Sequence, residues 1–436
     1  MKIEINDDKK WQQSLTLKII LLAFMGLLLL VPLEMIKSII KERLQTSEKV
    51  RKEISFQWAG EQTVSGPILN VPLRIFPSQK DAEPYISLFH IMPETLDIRG
   101  EVNTELRHRS IYEAVVYTSA LDLAGKFKIP VLKTTEKSEI LWDESYFTLG
   151  ISDNRGLKGS VDMKADSLII TAVPGLKDSE VFSGGITFPV ALEPGVEQIP
   201  FSLKLNLSGS SGLAFSPVGK ITRTSVRSPW NAPGFSGNFL PAEHTVNSDG
   251  FSAEWLITDL NRNFPQLWSG SSYKPENDSF GAGFVLQADH YQKSLRSAKY
   301  GILFIALTFL ALLFTEMSTG EKFHIFHYLL VSLALVLFFS LLSALSEQTG
   351  FNAAYLISTV STIVLITVFL SMLVRKYKPV ILLMAMLVLL YIFIFILLTL
   401  NDYAYLAGNI GLFILLAVIM FLSVRLKIFV GKEELT

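Results

Sequence analysis

The chain has 436 residues, half of them hydrophobic and 18% charged, with a formal net charge of −1. A soluble chain carries about 25% charged residues, and the deficit sits in one place: only eight charged side chains lie between Tyr300 and Val424. The near-neutral balance gives no footing for nucleic-acid binding, and the absence of cysteine removes disulfides, thiol nucleophiles and Cys-ligated zinc together.

Lys9, Lys10 and Lys18 precede an apolar run from Ile19 to Ile36, interrupted only by Pro32 and Glu34. A cleaved signal peptide has a shorter apolar stretch that ends at small residues, whereas this run ends in Leu33-Glu34-Met35-Ile36. It predicts an uncleaved transmembrane signal anchor over 19–36, after a cytoplasmic tail of residues 1–18. Ile36, Ile39, Ile40, Leu44, Val50 and Ile54 then recur at helical intervals among Lys, Arg and Glu. That pattern predicts a helical stalk over 37–54, with a basic face suited to anionic headgroups.

From residue 55 to 298 the pattern changes to short apolar or alternating runs punctuated by Pro and Gly. Examples are Leu168-Ile-Ile-Thr-Ala-Val173 and Phe201-Ser-Leu-Lys-Leu-Asn-Leu207. Alternation between turn residues reads as antiparallel strands. The expectation is a large β-rich, sandwich-like extracytoplasmic domain of one or two lobes. A helix is predicted near Ile111–Leu123, with Tyr112, Val115, Val116 and Ser119 on one face.

Five further spans are predicted at 300–317, 328–345, 353–374, 379–400 and 403–424, each near the 20 residues that a bilayer core demands. Short loops force antiparallel neighbours, so residues 300–424 read as a five-helix transmembrane bundle, followed by a tail over 425–436. With the signal anchor this makes a membrane α-helical bundle of six transmembrane helices. Six spans put both termini on one side, and the distribution of Lys and Arg makes that side cytoplasmic. Residues 37–298 are then periplasmic. Lys37, Lys41, Arg43, Lys293, Arg296 and Lys299 run against the rule on the outer side, although long domains translocate largely regardless of such charge.

The spans hold no ionisable group near their middle. Their polar content is Ser332, Ser340 and Ser343 in one span, and Ser358, Ser361, Thr362, Thr367 and Ser371 in the next. These read as helix-packing contacts before they read as a permeation path. Ala404-xxx-Gly408 and Ala407-xxx-Gly411 likewise read as close helix packing.

Catalytic motifs are not found. His324-x-x-His327 follows Glu321 at a membrane edge and falls short of the three or four ligands of a metal site. Ser271-x-x-Lys274 lacks the companion motifs of penicillin-binding serine enzymes. The reading is therefore not an enzyme, with no catalytic, cofactor or metal residues named. Two segments stand out. In Ser228–Pro241, Trp230, Phe235 and Phe239 lie close together among Pro and Gly. They form either a rigid loop that anchors a partner, as exposed aromatics do, or a plug of the sandwich core, and the core reading takes precedence. In Asp153-Asn-Arg-Gly-Leu157, Asp153 and Arg155 before Gly156 suit a turn braced by an ion pair.

Several segments together resemble the CreD family of inner-membrane proteins, nearly end to end. They are Glu42-Arg43, Trp58 with Gly66-Pro67-Ile-Leu69, Arg109 to Tyr117, Asp153 to Leu157, Gly209-Ser210, Ser228 to Pro241, Gly250 to Trp255, Lys299 to Ile305, Leu345-Ser-Glu347 and Gly350 to Leu356. Trp230-Asn-Ala-Pro233 departs from the family's Trp-Pro-x-Pro, and Tyr112-Glu-Ala-Val-Val-Tyr117 from its Tyr-Glu-Val-Pro-Val-Tyr. Both departures remove a proline and argue against a chemical role for it. The resemblance implies a Gram-negative inner-membrane protein linked to cell envelope integrity, envelope stress, a two-component response and colicin tolerance. It brings no catalytic residues. The leading expectation is a multi-pass envelope protein whose periplasmic domain binds an envelope protein or lipid-linked ligand, with the lipid bilayer as its other partner. The alternatives are a transporter of a lipid or amphiphile, with the span at 353–374 lining its path, and a hydrolase using unpaired carboxylates.

Overall fold

The computed structural model describes residues 15–77, 83–132, 137–284, 290–319, 323–374, 377–400, 406–411, 413, 414, 417 and 420. Contacts divide the chain into a membrane unit, Met1–Thr46 with Ala288–Thr436, and a β unit, Ser47–Gln287.

The membrane unit begins with α1 (Leu15–Leu28) and α2 (Leu30–Trp58). The two are nearly continuous. Pro32 has no N–H to give the Leu28 carbonyl, while Leu29 and Leu33 keep their bonds to Met25 and Leu29. The predicted stalk is thus the C-terminal part of one long helix that ends at Trp58. Next come α3 (His290–Lys299), α4 (Gly301–Thr319), α5 (Ile325–Thr349), α6 (Phe351–Leu373) and α7 (Tyr377–Thr399). Four described helices are long and apolar enough to cross a membrane, or five if α3 and α4, bent by 47°, form one span. The expected sixth span at 403–424 lies mostly outside the described residues; within it, 406–411 is helical.

Helices α1 and α2 pack into the same core as the C-terminal helices. Leu22, Leu29 and Leu33 share it with Phe304, Phe338 and Tyr391. A Cβ on Gly301 would lie 2.6 Å from Leu33, so the start of α4 approaches α2 closely. Lys18 pairs with Glu316 and donates to the Phe323 carbonyl at 2.9 Å, and Tyr328 donates to Glu316 at 2.8 Å. At the opposite end Tyr291 donates to Glu347 at 3.2 Å, with Arg43 at 3.9 Å from the same oxygen. Several hydroxyls return to their own helix: Thr362 donates to the Ser358 carbonyl, Ser332 to Leu329 and Ser371 to Val368. A Cβ on Gly411 would lie 2.1 Å from the Phe393 ring, a close helix approach at the predicted Ala407-xxx-Gly411; Ala404 is outside the described residues.

Among the described residues the β unit has eighteen strands. The first are β1 (Gln62–Ile75), β2 (Tyr85–Ile91), β3 (Thr95–Arg109), β4 (Tyr112–Lys128), β5 (Ser138–Ile140) and β6 (Tyr146–Ile151). They continue as β7 (Asp162–Ala165), β8 (Leu168–Thr171), β9 (Val173–Pro174), β10 (Gly185–Pro189), β11 (Gln198–Ser210) and β12 (Gly212–Ser216). The last are β13 (Ile221–Ser228), β14 (Pro233–Gly237), β15 (Glu243–Asn247), β16 (Gly250–Thr258), β17 (Leu267–Ser269) and β18 (Phe280–Phe284). A ten-stranded sheet runs β14-β18-β12-β1-β6-β10-β9, with β2 and β5 also on β1 and β17 on β2. An eight-stranded sheet runs β15-β16-β13-β3-β4-β11-β7-β8. Both contribute to one apolar core: Ile199, Phe201, Leu203, Leu205 and Leu207 alternate inward along β11 and meet Phe127, Phe147, Phe215 and Phe280.

Two departures from expectation stand out. The predicted helix at Ile111–Leu123 is β4, paired with β3 through Arg109↔Tyr112 to Thr95↔Lys126. Val115, Tyr117, Ser119, Leu121 and Leu123 are buried at every second position, while Ala114 and Val116 are buried as well. Burial of both faces over 114–117 placed Val115 and Val116 together and imitated a helical stripe. The sheets are also mixed, since β1 with β12 and β3 with β13 are parallel. Parallel neighbours need long crossovers, and those leave no trace in a local pattern.

Candidate functional site

Three places in the β unit concentrate polar or aromatic side chains. The first receives the end of α2. Trp58 donates from Nε1 to the Tyr117 carbonyl at 3.3 Å, and Arg107 lies over its ring at 4.8 Å. Asp153 caps the short turn Asn154–Gly156 by accepting from the Arg155 backbone N–H at 3.0 Å, and its carboxylate also accepts from Arg155 Nε at 2.9 Å. The guanidinium lies 4.0 Å from the Phe56 ring centroid. The Arg155 bonds hold the Asp153 carboxyl down at about 2. Gly156 leaves no space for a side chain, because a Cβ would lie 2.2 Å from the Ser208 carbonyl. Gln62 donates to the Asp153 carbonyl at 3.0 Å, which ties this turn to the start of β1. The segment singled out in the sequence is thus the seat of the helix end.

The second place is the aromatic segment. Trp230, Phe235 and Phe239 are half-buried and pack against the core. Trp230 donates to the Ala232 carbonyl at 3.0 Å. Phe235 sits edge-on to Phe251 at 5.7 Å and to Trp255 at 6.0 Å, and Phe239 is edge-on to Phe280 at 6.3 Å. Beside Phe251 opens a cleft of about 390 Å³, lined by Glu101, Asn103, Arg227, Pro229, Asn247 and Asp249 among others. Arg227 and Glu101 face each other across the parallel β13–β3 pair. The cleft is open and of mixed polarity, and Phe235 backs it through Phe251.

The third place carries no sequence motif. His90 on β2 is fully buried, with Nδ1 2.7 Å from Asn70 Oδ1 and Nε2 3.3 Å from Glu180 Oε2. Asn70 donates in turn to Thr148 at 2.7 Å, and Trp268 lies 5.4 Å from the imidazole. Residues 175–184 form a strap over this floor. From it Asp178 accepts the Tyr146 hydroxyl, while Phe182 and Val181 are buried. The space between strap and floor is too small for water. Burial lowers the His90 pKa below its ordinary value, against the upward pull of Glu180 and Asp178. Burial and the bond to Asp178 push the Tyr146 phenol up. The detectable signal is Asn70, a polar residue inside the apolar run Ile68-Leu-Asn-Val71.

A family model described as "Inner membrane protein CreD" matches residues 14–428. The chain belongs to the CreD family. The inner membrane protein CreD of Escherichia coli strain K12 is 31% identical over 407 residues, covering 91% of this chain and 90% of that protein. A crystal structure of an M1 zinc metallopeptidase mutant from Deinococcus radiodurans aligns with 44% of this chain and 42% of its own at 8% identity. Its TM-score of 0.20 carries no argument about fold or activity.

Membership in the CreD family agrees with the several apolar helices and makes the chain an inner-membrane protein that contacts the lipid bilayer. Among the described residues, no group of three or more His, Asp or Glu is placed to hold a metal ion. His324 and His327 in this CreD-family chain are engaged at the start of α5, where His324 accepts from the Phe326 N–H and His327 from the His324 N–H. Ser271 and Lys274 stand in the segment between β17 and β18.

Proposed function

We propose that this CreD-family chain is a non-enzymatic envelope protein whose β unit binds an envelope component at the cleft beside Phe251, while the helices hold it in the inner membrane. In this reading the termini are cytoplasmic and residues 37–298 periplasmic, as the excess of Lys and Arg near the termini supports. The observation that carries the binding role is the 390 Å³ cleft itself. It joins Arg227, Glu101 and Asp249, which can orient a polar ligand, to a rigid wall in which Phe251 is braced by Phe235 and Trp255. Binding sites take this form, concave with a few convergent polar groups. A role in envelope integrity follows if the ligand is a structural part of the envelope.

The test fills the cleft. Replacing Asn103 and Ser252 by Trp should leave the chain folded and inserted, yet abolish its ability to restore detergent resistance to cells lacking it. Full restoration by the filled variant would contradict the proposed site.

A further inference from the structure

Between α1 and α4 runs an almost wholly apolar groove of about 280 Å³, bordered by Ile19, Gly26 and Leu27 on one side and Ile302, Phe309 and Leu313 on the other. Nothing lies within 4 Å of where a Gly26 Cβ would stand, and Leu27 and Ile302 remain 62% and 47% exposed. The stretch from Ile19 to Leu27 gives the groove a length of about 12 Å along the helix. At one mouth Leu33 packs on Gly301, which puts the beginning of α2 beside the beginning of α4.

Cations follow on the helices that continue past that mouth. Arg296 and Lys299 precede Gly301 on α3, whose other side buries Tyr291, Ser294, Ser297 and Ala298. Because α3 is bent 47° from α4, it departs from the span as an amphipathic helix at the membrane interface does. Lys37 and Lys41 lie one and two turns beyond Leu33 on α2. Among the described residues this end of the unit carries Lys37, Lys41, Arg43, Lys293, Arg296 and Lys299 against Glu34, Glu42 and Glu347. Glu34 is held by Lys37 at 2.7 Å, and Glu347 receives Tyr291 at 3.2 Å.

We propose that the α1–α4 groove and the α3 cations together form a site for one anionic phospholipid, with an acyl chain in the groove and the headgroup phosphate at Arg296 and Lys299. The groove excludes a water-soluble occupant, since its lining offers almost no hydrogen-bonding partner. A linear hydrocarbon chain from the surrounding bilayer fits it. The cations select the headgroup, because a Lys or Arg at an anionic membrane surface adds about 1 kcal/mol, or roughly fivefold in binding for each.

The test is native mass spectrometry of the full-length chain. It is released from nanodiscs made of equal phosphatidylglycerol and phosphatidylcholine with identical acyl chains. Retention of a single phosphatidylglycerol, at least about tenfold over phosphatidylcholine, is expected. Arg296→Gln with Lys299→Gln should remove that preference, and Gly26→Leu should remove retention of either lipid. Should the Gly26 variant fail to fold, as judged by its thermal midpoint, Ala23→Leu fills the same groove. Equal retention of the two lipids by the unaltered chain overturns the proposal, as does wild-type preference in the cation variant. Wild-type retention in a folded groove variant overturns the placement of the acyl chain.

Discussion

His90 shows how much one buried side chain can govern. Each ring nitrogen faces an acceptor, Asn70 Oδ1 or the Glu180 carboxylate, while burial among Trp268 and the strap opposes the charged form. The net direction is downward. A histidine held neutral by folding contributes stability that is present above its unfolded pKa of about 6.5 and is lost as pH falls below it. Thermal unfolding of the full chain should therefore show the midpoint falling between pH 6.5 and pH 5, and His90→Asn should flatten that slope. Identical pH profiles for the two proteins would remove His90 from the account. Gly156 makes the opposite kind of demand, for space. Its Cβ would lie 2.2 Å from the Ser208 backbone, so Gly156→Ala should destabilise the β unit by about 1–3 kcal/mol, the cost of overpacking, measurable by denaturant unfolding.

Elements differ in how plainly the sequence announces them. The strand β11 is read directly from Phe201-Ser-Leu-Lys-Leu-Asn-Leu207, because one face is buried and the other solvated. Phe201→Ala there should cost about 3–5 kcal/mol, checked by the same unfolding measurement. The strand β4 defeated the same logic, since burial of Ala114, Val115, Val116 and Tyr117 together erased the two-residue period. The spacing of Asp153 and Arg155 on its own suggests a braced turn. The contact of Arg155 with Phe56 has no local signal, because it depends on a helix end nearly a hundred residues earlier in the chain. His90 was hidden for the same reason: Glu180 and Asp178 reach it from a distant strap. Trp58→Ala should loosen the last turns of α2, seen as faster hydrogen exchange over residues 47–58 with unchanged protection in β11.

At the scale of the whole molecule, the division into an apolar bundle and a β-rich unit was visible in where the charges fall. The pairing of parallel strands was not. Within the membrane unit, Lys18 and Glu316 join the first helix to α4, with side chains 16% and 14% exposed. Breaking such a pair on one side leaves a poorly solvated charge, at a cost of about 3–5 kcal/mol. Glu316→Gln should lower the thermal midpoint of the full chain, and Lys18→Glu with Glu316→Lys should restore most of the loss. The central claim remains that the β unit binds an envelope component. The most direct measurement is in-membrane photocrosslinking from Asn247 in the cleft and from Trp230, Phe235 and Phe239 in the neighbouring aromatic segment, with mass spectrometry of the adducts. A discrete envelope protein or lipid-linked adduct from Asn247, weaker from the three aromatics, is the predicted result; only intramolecular crosslinks at all four positions would contradict it.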